Sequence, residues 1–169
     1  SAEVSVTGDI VMGGENSSNS LTVGKDTTVS GSITMGDYDR DTATRENNLS
    51  LDVESAASIT SIKLLADKNT VEFYGEGVVK DNFSVQGGEN KIKVGEKVTV
   101  ENDMVFTDLY DEDGDGVDNG DLLLENRRND VTVLGKVAGI DSSKTSADDS
   151  FKVYGTAKDI TTGNSRTGD

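Results

Sequence analysis

Asn69-Thr-Val-Glu-Phe73 and Asn90-Lys-Ile-Lys-Val94 carry one pattern: an amide, a free position, then two apolar residues flanking another residue. It recurs as Asn19-Ser-Leu-Thr-Val23, Asn47-Asn-Leu-Ser-Leu51 and Asn129-Asp-Val-Thr-Val133. Asp149-Ser-Phe-Lys-Val153 repeats it with Asp in the first place. Starts at 19, 47, 69, 90, 129 and 149 lie 28, 22, 21, 39 and 20 residues apart. Each long interval holds an acidic insertion, Asp37 to Asp41 in one and Asp111 to Asp121 in the other. Without them a period of about 21 residues remains, in the range of stacked repeat units. A second signature, V-x-G-x-I-x-M-G, runs from Val6 to Gly13 and again from Val29 to Gly36.

Each repeat holds three short groups in which apolar residues alternate. From Asn90 they are Ile92 and Val94, then Val98 and Val100, then Met104 and Phe106. From Asn69 they are Val71 and Phe73, then Val78 and Val79, then Phe83 and Val85. Alternation sends side chains to opposite faces of a strand, so three groups per repeat describe three sides around an apolar interior. The expected fold is all-β, a single-chain β-solenoid of about six coils of about 21 residues. An antiparallel β-sandwich with strand exchange is the alternative, because short alternating strands with frequent turns fit it too. Leu49 to Asp67, the best helix candidate, is expected to be two strands, as its neighbours are. The absence of Pro fits a chain that is sheet along most of its length. Gly8, Gly24, Gly31, Gly75, Gly95, Gly135 and Gly155 are expected at corners that need φ > 0. The repeated Asn residues are expected to stack from repeat to repeat. Residues 1–169 read as one β-rich repeat domain with an acidic insertion at about 107–126.

The chain has 32 acidic and 16 basic residues, a net charge of −16. A polyanion would be repelled, so nucleic acid is excluded as a partner, and so are anionic membrane surfaces. Cations are favoured, because they relieve repulsion among carboxylates. Without Cys or His there is no thiol nucleophile, disulfide, Cys/His zinc site or His-based triad. No stretch is long and apolar enough to insert into a membrane as a helix. Ser1-Ala2-Glu3 reads as a mature terminus left after leader cleavage.

Asp111-Glu-Asp-Gly-Asp-Gly-Val-Asp-Asn-Gly-Asp121 places Asp111, Asp113 and Asp115 at every second position, with Gly116 next. This resembles the opening of an EF-hand loop, where three carboxylates wrap one Ca²⁺ and the glycine permits a sharp turn. The resemblance implies a ligand from the Val117 carbonyl and another from Asn119. It departs at the twelfth loop position, where Leu122 stands in place of a bidentate Glu. Asp118 and Asp121 flank the gap, and the fuller pattern is similar to the calcium loops of thrombospondin type 3 repeats and dockerins. That similarity implies a shell closed by Asp111, Asp113, Asp115, Val117, Asp118, Asn119 and Asp121. Asp37, Asp39 and Asp41 form a weaker version with Arg40 between two of them. They read as a surface acidic loop, with a second site left open.

Extracellular modules use weak calcium sites, roughly 10⁻⁴ to 10⁻³ M, so the loop points to the cell surface or medium. The expected function is a calcium-binding structural subunit of a surface filament, fibre or adhesin, assembled head to tail through strands exposed at the ends. A surface carbohydrate or protein ligand is left unidentified. Asn19 to Thr34 also resembles the degenerate repeats of phage tail-fibre β-helices, which implies a fibre module as the alternative. Calcium-dependent polysaccharide lyases resemble the chain in architecture alone. No catalytic role set assembles from these residues, so the chain is not expected to be an enzyme.

Overall fold

A computed structural model describes residues 4–14, 17–36, 44–107, 128–144 and 150–162. They form strands and turns with no helix. In chain order the strands are β1 (Val4–Val6), β2 (Ile10–Met12), β3 (Ser18–Val23), β4 (Thr27–Val29), β5 (Ile33–Met35), β6 (Glu46–Ile59), β7 (Ile62–Leu65) and β8 (Lys68–Val79). They continue as β9 (Phe83–Gln86), β10 (Glu89–Val94), β11 (Thr99–Thr107), β12 (Arg128–Val133), β13 (Lys136–Lys144), β14 (Ser150–Val153) and β15 (Thr156–Thr162). Leu49 to Asp67 is indeed strand, split between β6 and β7.

Every strand pairing among the described residues is parallel. The antiparallel sandwich is therefore corrected: its hairpins would pair strands adjacent in sequence, and these strands pair with counterparts one repeat away. The pairings run in three ladders. The first takes β3, the opening of β6, the opening of β8, then β10, β12 and β14. The third takes β2, β5, β7, β9 and the later parts of β11, β13 and β15. The second lies between them in each repeat. It holds the ends of β6 and β8 and the openings of β11, β13 and β15. The β1–β4 pair continues this ladder, with the Thr60 hydroxyl donating to the Ser30 carbonyl at 3.1 Å.

Register follows the sequence signature residue for residue. Asn19, Asn47, Asn69, Asn90 and Asn129 are successive Cα partners, including across the 39-residue interval. The V-x-G-x-I-x-M-G copies also superpose, with Val6 on Val29, Ile10 on Ile33 and Met12 on Met35. Because the side-chain period is two, a slip of one residue would turn Lys91 and Lys93 inward and Ile92 outward. The observed register instead stacks Ile33, Ile62, Phe83, Met104 and Ile140 in one fully buried row. Of the adjacent Val78 and Val79, Val79 points inward and is fully buried.

The Asn residues are buried among this apolar set, where unpaired amides would be costly. They satisfy one another instead. Each Nδ2 donates to the Oδ1 of the next Asn: 3.0 Å from Asn19 to Asn47, 3.1 Å to Asn69, 2.9 Å to Asn90 and 2.7 Å to Asn129. The same nitrogens serve the corner before them and its counterpart one repeat later. Asn47 donates to the Met35 and Leu65 carbonyls at 3.0 and 3.1 Å, and Asn69 to those of Ala66 and Gln86 at 3.3 and 3.0 Å.

The glycine expectation needs correction. Of the seven named, Gly75 alone has a left-handed φ, +81°, and a Cβ there would strike the Val53 carbonyl. Gly31, Gly95, Gly135 and Gly155 are needed because the neighbouring backbone lies close. A Cβ on Gly135 would come 2.5 Å from the Gly95 carbonyl oxygen, and one on Gly155 2.5 Å from that of Leu134. Gly8 and Gly24 meet nothing within 4 Å. Gly36, outside the expected set, is left-handed at +89° beside Asn47 Nδ2.

Asn69→Ala strips acceptor and donor from the middle of the amide row and leaves Asn90 Oδ1 and the Ala66 carbonyl short of a donor. Each such buried group costs about 1–3 kcal/mol, so urea denaturation should show a loss of about 2–4 kcal/mol. The adjacent Lys68→Ala breaks an ion pair whose side chains are more than half exposed, and should cost less than about 0.5 kcal/mol.

Candidate functional site

The sequence places the candidate site in the chain joining β11 to β12. Asp111, Asp113, Asp115, Val117, Asp118, Asn119 and Asp121 all lie outside the described residues. So do Asp37, Asp39 and Asp41. Among the described residues, no three His, Cys, Asp or Glu side chains converge to hold a metal ion. The described strands do fix where these segments attach. The insertion leaves after Thr107, which pairs with Gln86 and Lys144, and returns at Arg128, opposite Glu89. Thr107 is thus the last residue of β11, and residues 108–127 join it to β12.

Both acidic segments join a strand of the third ladder to a strand of the first: β5 to β6, and β11 to β12. They therefore attach at the same corner, three ladder steps apart. At about 4.8 Å per step their bases are separated by about 14 Å. In the two repeats between them the corner is short, turning through Ala66-Asp67 and Gly87-Gly88. There the Asp67 amide donates to the Thr44 carbonyl at 3.0 Å, and the Glu89 amide donates to the Asp67 carbonyl at 2.9 Å. Desolvation holds the Asp67 carboxyl above the usual carboxylate range, against the pull of Arg45 and Lys68.

Outside this corner the surface is organised by the repeat length. Lys68 meets Glu89 at 3.2 Å, Lys80 meets Glu101 at 3.0 Å and Lys97 meets Glu76 at 2.6 Å. The Asn102 amide donates to Asp81 Oδ1 at 3.1 Å, and the Asp103 N–H to Asn82 Oδ1 at 3.2 Å. Every one of these contacts joins residues 21 apart. The sequence reading missed them, although opposite charges offset by one repeat were a visible signal. Lys93 adds a contact with the Tyr74 ring, 5.4 Å from its centroid.

A groove of about 480 Å³ crosses the outer face of the first ladder, lined by Glu46, Lys68, Thr70, Glu89, Lys91 and Asp130. Its acidic and basic side chains are interleaved, so they largely neutralise one another rather than present a strong field of one sign. The chain matches no protein-family model, no curated protein and no solved structure.

The raised Asp67 value has a defined sign. The folded state binds the proton more readily than the unfolded one, so the cost appears as pH rises through the folded pKa and is absent below the ordinary value of 3.8. Asp67→Asn should therefore raise the unfolding free energy read from urea denaturation at pH 7, by about a few tenths of a kcal/mol because the residue is largely solvated. Parent and variant should converge below pH 3.8.

Proposed function

We propose that the three ladders are the sides of a β-solenoid of about six coils of about 21 residues, and that the chain is a calcium-binding structural subunit of an extracellular filament, fibre or adhesin. The observation that carries this reading is a pair of unpaired parallel edges. Among the described residues, β1, β2 and β3 each pair on one side only, and so do β14 and β15. The apolar rows run out to these edges. Ile10 and Met12 are half-buried, whereas their ladder partners Ile33 and Met35 are fully buried. Phe151 is half-buried at the other end, edge-on to Phe106 with 5.5 Å between ring centroids. Edges of this kind template further strands, and a head-to-tail contact between different surfaces propagates without closing.

In this reading calcium acts as a clip. Asp111, Asp113, Asp115, Asp118 and Asp121 supply carboxylates, with Asn119 and the Val117 carbonyl completing an oxygen shell of the kind calcium takes. Binding would stabilise the folded chain in proportion to occupancy. The parallel strands beneath supply stiffness. A site of this class fills where calcium is abundant, which places the protein outside the cell. No catalytic role is assigned.

Electron microscopy with calcium and after chelation should show filaments that depend on the metal; single particles under both conditions would sink the assembly. Replacing Asp113 and Asp115 together by Asn should abolish most of the calcium-dependent rise in melting temperature, and an unchanged rise would remove calcium from the account.

A further inference from the structure

The groove on the outer face of the first ladder lies inside the stack. It crosses β6, β8, β10 and β12, each of which has a described strand on both sides in that ladder. Three ladder steps give it a length of about 14 Å. Two rows of outward side chains border it. Glu46, Lys68 and Glu89 are successive ladder partners in one row, and Thr70, Lys91 and Asp130 in the other. Every residue lining it is polar. Elsewhere on the surface Lys80 and Lys97 are each taken up by a carboxylate one repeat away. Within the groove Lys68 and Glu89 pair in the same way. Among the described residues, Glu46, Lys91 and Asp130 enter no ion pair, although Asp130 is the ladder partner of Lys91. Together with the Thr70 hydroxyl they leave donors and acceptors facing the groove.

We infer that this groove is a binding site for a neutral, linear oligosaccharide lying along the axis of stacking. The residues present select against the other ligand classes. An anionic chain would meet three carboxylates, those of Glu46, Glu89 and Asp130, and a cationic one would meet Lys68 and Lys91. An apolar ligand would strip water from all of them and return no hydrogen bonds. A sugar hydroxyl both accepts and donates. One placed between Lys91 and Asp130 accepts from the ammonium and donates to the carboxylate, and hydrogen bonds to charged groups are the stronger kind. The rows repeat at the strand spacing, so further hydroxyls along the same chain meet Thr70 and Glu46. The site goes beyond calcium binding and end-to-end assembly and rests on neither.

The test is calorimetric titration of the 169-residue chain, freed of calcium by chelation and at a concentration where sedimentation shows single chains. The neutral probes are cellohexaose, mannohexaose and maltohexaose. The charged probes are the corresponding hexamers of galacturonic acid and of glucosamine. Saturable one-to-one binding of at least one neutral probe is expected, tighter than that of either charged hexamer. Lys91→Met should weaken it about tenfold, the loss expected for one hydrogen bond to a charged group. Lys97→Met, outside the groove, should leave it unchanged. Both lysines are exposed, so neither replacement disturbs the core. No saturable binding of any neutral probe, tighter binding of a charged hexamer, or equal effects of the two replacements would each overturn the site. Failure of calcium binding or of filament formation would leave the result intact.

Discussion

The buried row of amides from Asn19 to Asn129 is the constraint on which the rest of the fold depends. Five polar side chains stand inside an apolar interior, and they are tolerable only because each meets the next within hydrogen-bond distance. That condition fixes the vertical register of the five repeats that begin at Asn19, Asn47, Asn69, Asn90 and Asn129. Once Asn69 stands on Asn90, Val71 must stand on Ile92 and Phe73 on Val94. The same amides bond a carbonyl of the preceding corner and one of the corner a repeat later, so they tie strand ends to strand starts and one repeat to the next. An apolar residue at these positions would add burial but leave the corner carbonyls unsatisfied.

Insertions are accommodated because the register is set locally, by side-chain pairs, and not by the length of chain between them. The 39-residue interval ends with Asn129 on Asn90 as squarely as the 21-residue interval ends with Asn90 on Asn69. The entropic cost of a longer loop grows only slowly with length. Both acidic segments emerge at the corner governed by the amides, where the strand that follows is anchored within its first two residues. The exposed Lys–Glu contacts 21 residues apart add little each, but all agree with the same register, and slippage would set several of them against like charges.

Much of this was legible in the sequence because the interactions repeat. The spacing of the Asn residues gave the ladder partners directly, and the alternation beside them gave the inward set. The seven glycines were less informative, because a sequence does not distinguish a glycine that must turn left-handed, such as Gly75, from one that must let a backbone pass, such as Gly135. Gly36 escaped notice because it lies at the end of a motif rather than between two alternating groups. The acidic residues from Asp111 to Asp121 occur once, so no repeat checks their placement; the described strands supply only the positions from which the segment hangs.

The amide row also has a direction. Every bond in it runs from the nitrogen of an earlier repeat to the oxygen of a later one, so the stack has a donor sense along its whole length. Its mechanical behaviour follows from the same arrangement. A pull along the axis of stacking loads the repeats in series, and the outermost yields first, releasing about 70 Å of chain for each 21-residue unit. A pull along the strands loads the ladder bonds together in shear. The molecule is thus a rope in one direction and a zip fastener in the other, with one amide as the tooth of each repeat.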